Sequence, residues 1–154
     1  MAARRPKVYV SGALNAAADI ERSKRFYERV GEVCGEVGLD AYVPHTMGTD
    51  PIENPDVTPE EVYRRDMAAV SASDLIVAYV GEPSLGVGSE IERASAEGID
   101  VILLYERGRK VSRLILGAPT VCGRVAFSSE ADAMGTLRER LRAWARKRGW
   151  RGFA

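Results

Sequence analysis

The residues best suited to chemistry surround a glycine-rich turn at residues 81–88 (GEPSLGVG), which follows a nearly continuous apolar run. Gly86 and Gly88 allow unusual backbone angles and the close approach of a ligand. Amides at the start of the helix that should follow would suit an anion, and Ser84 adds a hydroxyl donor. Neither G-x-G-x-x-G nor G-K-[ST] is present. The turn therefore suggests a phosphate site, with a tight strand-to-helix turn as the alternative.

Two carboxylates accompany this turn. Glu90 should lie in the first turn of a helix over residues 87–97, where the positive end of the helix dipole favours the ionised carboxylate. Asp66 belongs to an earlier predicted helix, where it lies on the same apolar side as Tyr63. An ionised carboxylate can attack an anomeric carbon, and glycosidic cleavage requires a second carboxyl group as acid or orienting residue. Dipole complementation by Glu90 and ion pairing by Asp66 are the structural alternatives.

Two other polar side chains could face the same crevice. Tyr9 lies on the first predicted strand, where its hydroxyl can reach the crevice or stay in the core. His45 follows a strand end, where capping of a loop is the alternative role. Because His45 is the only histidine and Cys34 and Cys122 are far apart, the sequence offers no convincing zinc site. We expect neither a metal nor a cofactor.

The elements that must position these residues alternate between strands and helices. Apolar runs predict strands at residues 7–11, 40–43, 74–80, 100–105 and 123–127. Helical spacing predicts helices at residues 20–37, 59–71, 87–97 and 130–147, with a short helix or turn at 110–116. Thr58 should cap the second helix, with Glu61 completing a capping box. Residues 45–59 predict a long loop, which in a compact domain is often functional.

This alternation predicts an α/β fold with a single doubly wound, Rossmann- or flavodoxin-like domain, in which helices flank a five-stranded parallel sheet. Its core should span residues 7–128, followed by the C-terminal helix. Ligands bind such sheets outside the carboxyl ends of the strands, near the topological switch point. That rule brings together the loop over residues 11–18, the loop that starts at His45, and the glycine-rich turn.

Composition excludes several classes of protein. The chain has 154 residues, with 22 basic and 22 acidic side chains, so no overall field attracts nucleic acid or membranes. No apolar run approaches the roughly 18 residues that span a bilayer, and the N-terminal sequence lacks the apolar region of a signal peptide. We therefore expect a cytoplasmic protein. An Arg-rich tail at residues 138–151 could bind RNA, but a solvated helix face is the simpler interpretation.

Taken together, these segments resemble the nucleoside 2-deoxyribosyltransferase superfamily, and within it the 2'-deoxynucleoside 5'-phosphate N-hydrolases. The resemblance spans residues 8–118 and is strongest at residues 83–94. Asp66, which lies 24 residues before Glu90, and the opening strand at residues 8–12 also match. The resemblance implies hydrolysis of the N-glycosidic bond of (deoxy)nucleoside 5'-monophosphates, which yields free base and (deoxy)ribose 5-phosphate without a cofactor.

The resemblance also implies a role for each site residue. Glu90 would attack the anomeric carbon and form a covalent glycosyl intermediate, Asp66 would assist the departing base or position the nucleophile, and Tyr9 would orient the carboxylate or contact the sugar. The implied substrate-binding residues are Ser11, Gly12, Ala13, Leu14, Asn15, Ala16, Ala17, His45, Ser84, Gly86, Gly88, Ser112, Arg113 and Leu114.

Ser84 separates two related activities. The transferases that this chain resembles carry an acidic residue at this position, which would repel a phosphate, whereas a serine can donate a hydrogen bond to it. The resemblance also implies a homodimer, in which Ser112 of a neighbouring subunit completes each site and Arg113 adds charge. Departures from the family pattern, Ala13 for a serine and Asn15 for an arginine, leave the substrate range open. Transfer between nucleosides and non-catalytic nucleotide sensing are the alternatives.

Overall fold

The computed structural model describes residues 4–14 and 18–150. In that part of the chain the strands are β1 (Lys7–Ser11), β2 (Asp40–Tyr42), β3 (Leu75–Tyr79), β4 (Asp100–Glu106) and β5 (Val121–Phe127). The α-helices are α1 (Ile20–Glu36), α2 (Pro59–Ser71), α3 (Leu85–Ala96), α4 (Arg113–Leu116) and α5 (Glu130–Lys147). A short 3-10 helix over Pro44–Thr46 opens the predicted long loop.

The strands form one parallel sheet in the order β2-β1-β3-β4-β5. This order confirms the predicted doubly wound fold. The chain moves outward from β1 to β2 and then returns to the other side of β1 to form β3. The switch point therefore lies between β1 and β3, and a crevice opens where their carboxyl ends diverge.

Side chains of β1 alternate between the two faces of the sheet, as the period of a strand requires. Val8 and Val10 pack into the apolar cluster that includes residues of α1 and α5. Tyr9 points to the opposite face and packs with Ile91 of α3 and Val70 of α2. The face that carries Tyr9 is therefore the one covered by α2 and α3, the helices that carry the two predicted catalytic carboxylates.

Helix α3 begins two residues earlier than the sequence analysis predicts. Ser84 is its N-cap, and the Ser84 Oγ accepts a hydrogen bond from the Val87 amide at 3.3 Å. Gly86 and Gly88 consequently lie within the first helical turn, and neither has a positive φ. The expectation of unusual backbone angles at these glycines is therefore wrong. A Cβ atom at Gly88 would meet nothing within 4 Å, so the missing side chain leaves open space beside the helix start.

The start of α2 agrees only in part with the predicted capping box. Thr58 is the N-cap, and its hydroxyl accepts the Glu61 amide at 3.2 Å. The Glu61 carboxylate does not complete the box, because it binds the side chains of Arg64 and Arg65. These cations lie three and four residues further along the helix, where side chains of one face meet, and they take both carboxylate oxygens.

A buried ion pair organises the loop between β2 and α2. The Lys24 Nζ on α1 lies 2.6 Å from the Asp50 Oδ2, and both side chains are buried. Asp50 also accepts hydrogen bonds from the amides of Ile52 and Glu53, while its own amide donates to the side chain of Asn54. The loop is thus attached to α1 at one carboxylate, which fixes its conformation beside the crevice.

The basic residues of α5 and its C-terminal end are partly neutralised by contacts within the chain. Arg138 binds Glu36, and Arg148 binds Asp100. Trp144 is buried and donates from Nε1 to the Asp100 Oδ2 at 2.8 Å. These contacts favour the interpretation of this segment as part of the packed fold rather than an RNA-binding tail. Among the described residues, no helix combines the length and apolar character needed to cross a membrane.

Candidate active site

A cavity of about 770 Å³ opens at the carboxyl end of β1. Five segments supply its wall: β1 with the loop after it, helix α1, the loop that follows β2, helix α2, and α3 with the turn before it. The polar or aromatic lining side chains include Tyr9, Tyr27, His45, Thr49, Asn54, Tyr63, Asp66, Ser84 and Glu90. The predicted nucleophile, the second carboxyl group and the candidate phosphate ligand therefore share one cavity.

Glu90 lies in the second turn of α3, not in the first turn as the sequence analysis predicts. Burial raises the pKa of Glu90 to about 7, and the charge of Asp66 acts in the same direction. The nearby hydroxyls of Tyr9 and Ser11 lower the pKa but do not compensate. The neutral form of Glu90 is therefore favoured overall, because the dipole effect fades after the first turn and desolvation dominates.

Within the described part of the chain, one oxygen of this carboxyl group and one neighbouring hydroxyl are buried without a hydrogen-bond partner. They are the Glu90 Oε2 and the Ser11 Oγ. Buried polar groups are nearly always paired, so an unpaired one requires an explanation. Ser11 does not itself line the cavity. Its hydroxyl lowers the pKa of Glu90, so it lies close to that carboxyl group. A substrate hydroxyl or a water molecule that enters here would find both an acceptor and a donor.

Asp66 lines the cavity from α2, and its Oδ1 accepts a hydrogen bond from the Thr49 Oγ1 at 3.2 Å. Burial raises the pKa of Asp66, whereas the Thr49 hydroxyl and the charge of Arg65 act in the opposite direction. Tyr63, which was predicted on the apolar side of this helix, is 58% exposed. It lies one turn before the buried Met67 and so extends over the cavity rim, where its hydroxyl accepts from Arg93 at 3.0 Å.

Tyr9 is almost fully buried and stacks on Tyr42, with the ring centroids 5.6 Å apart. Burial, followed by the charges of Glu90 and Asp66, raises the pKa of Tyr9 far above its ordinary value. The phenol therefore keeps its proton at any physiological pH. A neutral phenol can donate a hydrogen bond to a carboxylate, which suits the role that the resemblance implies.

The loop after β1 approaches the cavity only in part. A Cβ atom at Gly12 would lie 2.2 Å from the ring of Tyr27, so this position requires glycine. Ala13 is buried, and its carbonyl accepts the Tyr27 hydroxyl at 2.8 Å, so it supports the wall instead of lining it. Leu14 does line the cavity. The predicted binding residues Asn15, Ala16 and Ala17 lie outside the described residues.

His45 is buried in the cavity wall. Its Nε2 lies 2.8 Å from the Glu28 Oε1 on α1. This contact fixes the plane of the imidazole and joins the start of the loop to α1. Within the described residues, no group of three or more His, Cys, Asp or Glu side chains is arranged to hold a metal ion.

Ser84 lies at the junction of two cavities, because it also lines a second one of about 340 Å³. Ser112, the N-cap of α4, lines only the second cavity of its own chain, beside Lys110. Arg113 and Leu114 line neither cavity. Two apolar side chains near this second cavity, Leu85 and Leu114, are 94% and 85% exposed.

Sequence reasoning missed the residues that position the predicted ones. Thr49 donates a hydrogen bond to Asp66, and Tyr42 stacks on Tyr9. The ion pair between Lys24 and Asp50 orders the loop that carries Thr49. The only available signal was the length and composition of the loop after β2. Neither property indicates which of its side chains turns inward, because the inward turn depends on a contact with a distant helix.

Comparisons with known proteins give matches to one family. The family model described as nucleoside 2-deoxyribosyltransferase matches residues 8–143. A protein of Methanosarcina barkeri named "Putative 2'-deoxynucleoside 5'-phosphate N-hydrolase 1" is 36% identical over 118 residues, which cover 75% of this chain and 72% of that protein.

Solved structures share the fold. A conserved protein from Enterococcus faecalis V583 superposes with a TM-score of 0.67 at 24% identity, covering 89% of this chain and 99% of that one. The CMP N-glycosidase BcmB of Clostridium botulinum superposes with a TM-score of 0.62 at 21% identity, covering 87% of this chain and 98% of that one.

The buried carboxylate predicts a gain in stability on substitution. The native pKa of Glu90 is about 7 against an ordinary value of 4.5, so the native state binds the proton more tightly and loses stability as the pH rises through this window. We expect Glu90→Gln to raise the free energy of unfolding by roughly 1–3 kcal/mol at pH 8 and to change it little at pH 4. Urea denaturation at both pH values measures the difference.

The matched control is Glu92→Gln, which removes an exposed carboxylate from the same helix. It should change the free energy of unfolding by less than about 0.5 kcal/mol at either pH. A Glu90→Gln protein no more stable than the wild type at pH 8 would show that burial does not penalise this carboxylate.

Proposed function

This chain belongs to the nucleoside 2-deoxyribosyltransferase family, and from that premise we propose that it hydrolyses the N-glycosidic bond of nucleoside 5'-monophosphates, with a preference for deoxyribonucleotides. The products are the free base and the 5-phosphorylated sugar. One observation carries the proposal: Glu90 and Asp66, two partly buried carboxyl groups, line one cavity with Ser84 at the helix start.

The names of related proteins support this substrate class. The relative from Methanosarcina barkeri is named as a 2'-deoxynucleoside 5'-phosphate N-hydrolase, and the neighbour from Clostridium botulinum as a CMP N-glycosidase. Both names describe an enzyme that acts on the glycosidic bond of a nucleotide. The name of the Methanosarcina barkeri relative specifies a 2'-deoxy sugar, whereas CMP is a ribonucleotide. Both sugars therefore need to be tested as substrates.

The first step of the proposed reaction is a displacement at the anomeric carbon. The Glu90 carboxylate forms a bond to this carbon, and the electron pair of the carbon–nitrogen bond leaves with the base. In the reacting form the one proton that the two carboxyl groups share lies on Asp66, which gives it to the departing base and becomes a carboxylate. Tyr9, which stays neutral, donates to the attacking carboxylate and orients it. The product of this step is a glycosyl ester on Glu90.

The second step is hydrolysis of that ester. The Asp66 carboxylate accepts a proton from a water molecule, whose oxygen attacks the anomeric carbon. The Glu90 carboxylate leaves, and the sugar phosphate is released. Because Asp66 recovers the proton that it gave to the base, the enzyme returns to its initial protonation state after one turnover.

The start of α3 is the proposed phosphate site. Its first backbone amides are not used within the helix and can bind an anion. The Ser84 Oγ accepts a hydrogen bond from the Val87 amide, so its own proton remains available for donation. The bare Cα atoms of Gly86 and Gly88 leave room for the phosphate to approach, because added Cβ atoms there would meet little of the protein.

We also propose a homodimer in which Ser112 completes the site of the neighbouring subunit. Ser112 does not line the main cavity of its own chain, but it lines the adjacent cavity that shares Ser84. The exposed side chains of Leu85 and Leu114 provide apolar surface beside this region. Such surface favours a self-complementary contact about a two-fold axis.

A substrate panel tests the activity. Purified protein is incubated with ribo- and deoxyribonucleosides, with and without the 5'-phosphate, and free base is measured by chromatography. We expect base release from monophosphates and a loss of about a thousandfold or more for Glu90→Ala, because the nucleophile is absent.

Each other outcome of the panel contradicts part of the proposal. A new nucleoside formed when a free acceptor base is added would identify a transferase. Tight binding of nucleotides without any base release would identify a sensor. An active Glu90→Ala protein would exclude the covalent mechanism.

Ser84→Asp tests the phosphate site. A carboxylate is also a good N-cap, so α3 should remain intact while the phosphate is repelled. We expect the KM for monophosphates to rise roughly tenfold to a hundredfold, with a much smaller change for nucleosides that lack the phosphate. Ser89→Asp, which adds the same charge at an exposed position of the same helix, is the control. An equal effect on both substrate types would show that Ser84 does not contact the phosphate.

Complementation tests the shared site. Glu90→Ala and Ser112→Asp chains are co-expressed with different tags, and the heterodimer is purified through both tags. If Ser112 acts across the interface, one of the two sites combines native Glu90 with native Ser112, and about half of the wild-type activity returns. A heterodimer as inactive as the two parent variants would show that Ser112 does not act in the neighbouring site.

A further inference from the structure

Thr49 is a buried threonine whose hydroxyl has two acceptors in reach. Its Oγ1 lies 3.0 Å from the carbonyl oxygen of Pro44 and 3.2 Å from the Asp66 Oδ1. A hydroxyl carries one proton, so it can donate to only one of these oxygens at a time, but it can accept a second hydrogen bond. The side chain also lines the main cavity, and the mechanism described above does not use it.

We propose that Thr49 is a positioning residue that serves both protonation states of Asp66 during proton transfer; this inference rests on the proposed function. When Asp66 is ionised, Thr49 donates its proton to the carboxylate. When Asp66 is protonated, its proton lies on Oδ2, from which it can pass to the base, and Thr49 keeps a weaker hydrogen bond to Oδ1, with the Pro44 carbonyl as the competing acceptor. Thr49 therefore contacts the same oxygen of Asp66 in both protonation states.

This arrangement assists the chemical step more than substrate binding. As Asp66 gives its proton to the departing base, negative charge develops on its oxygens. A hydrogen bond to an ionised group is roughly twice as strong as one between neutral groups, so the bond from Thr49 strengthens as the reaction proceeds. Interactions that strengthen in the transition state raise kcat, whereas equal binding of both states changes KM.

The loop holds Thr49 in place before the reaction begins. The neighbouring residue Asp50 pairs with Lys24 on α1 and accepts the amides of Ile52 and Glu53. Because both charged side chains are buried, this anchor is shielded from solvent and salt. A donor fixed in advance needs no reorganisation when charge appears beside it.

Several other groups act on the same carboxyl group. Glu90 from α3, Tyr9 from β1 and Tyr42 from β2 are each coupled electrostatically to Asp66, and Arg65 adjoins it on α2. Thr49 differs from these in donating a hydrogen bond to an oxygen of Asp66. Its removal should therefore affect the carboxylate form more than the neutral acid.

The test compares Thr49→Val, which keeps the shape but removes the hydroxyl, with Thr49→Ser, which keeps the hydroxyl. The matched control is Thr46→Val, because the Thr46 Oγ1 donates to the carbonyl of Val43 in the same loop and does not line the cavity. Far-UV circular dichroism and thermal melting establish that each variant is folded. If Thr49→Val is not folded, Thr49→Ala replaces it as the second variant without the hydroxyl.

For the kinetic measurement we expect Thr49→Val to lower kcat about tenfold while KM changes less than twofold. Thr49→Ser should stay within about twofold of the wild type, and Thr46→Val should match the wild type. A loss at Thr49→Val no greater than that at Thr46→Val would overturn the proposal, and so would a loss confined to KM.

A second measurement does not depend on activity. The carboxyl carbon of Asp66 is titrated by carbon-13 NMR in each variant. Loss of the donor should raise the pKa of Asp66 in Thr49→Val, because the charged form loses the stronger bond, and Thr49→Ser should restore it. An unchanged titration in Thr49→Val would overturn the proposal. If the titration changes as expected but the wild type releases no base, the proposed function fails while the contact of Thr49 with Asp66 stands.

Discussion

The burial of a negative charge on Glu90 is the constraint on which the site depends. An isolated carboxylate in a poorly solvated cavity is unfavourable, and this desolvation raises the pKa of Glu90 to about 7. The fold reduces the cost by arranging the hydroxyls of Tyr9 and Ser11 beside it, but leaves the Glu90 Oε2 without a partner. An oxygen with an unused lone pair in a site of low solvation is well suited to attack an electron-poor carbon.

Burial also links the protonation states of the two carboxyl groups. Asp66 raises the pKa of Glu90 through its charge, and desolvation raises the pKa of Asp66. Such a pair titrates as a unit: Asp66 carries the charge where Glu90 titrates, and the proposed reaction proceeds from the form in which the proton has moved from Glu90 to Asp66. Formation of the proposed ester removes the charge from Glu90. The covalent state would thus relieve the desolvation cost that the free enzyme bears, which favours the attack.

The sequence was sufficient to predict the fold but not the environment of its carboxylates. The continuous apolar run of β3 and the helical periodicity of α5 are local signals, and both elements lie close to the predicted bounds. The depth of Glu90 in α3 depended on Ser84 serving as the N-cap, two residues before the expected start. Thr49 escaped prediction because its orientation depends on Asp50 meeting Lys24, which is distant in sequence.

The charge of Asp50 and the charge of Glu90, each with a buried carboxylate oxygen, have opposite environments. Asp50 is paired with Lys24 and accepts two amides, so its charge is compensated and its loop is fixed. A buried ion pair adds little net stability compared with apolar packing, so its main contribution here is the conformation that it imposes on the loop. Glu90 lacks a paired cation among its described contacts and keeps an unsatisfied oxygen. The loop that the first carboxylate fixes carries Thr49, which lines the same cavity as Glu90 and contacts Asp66.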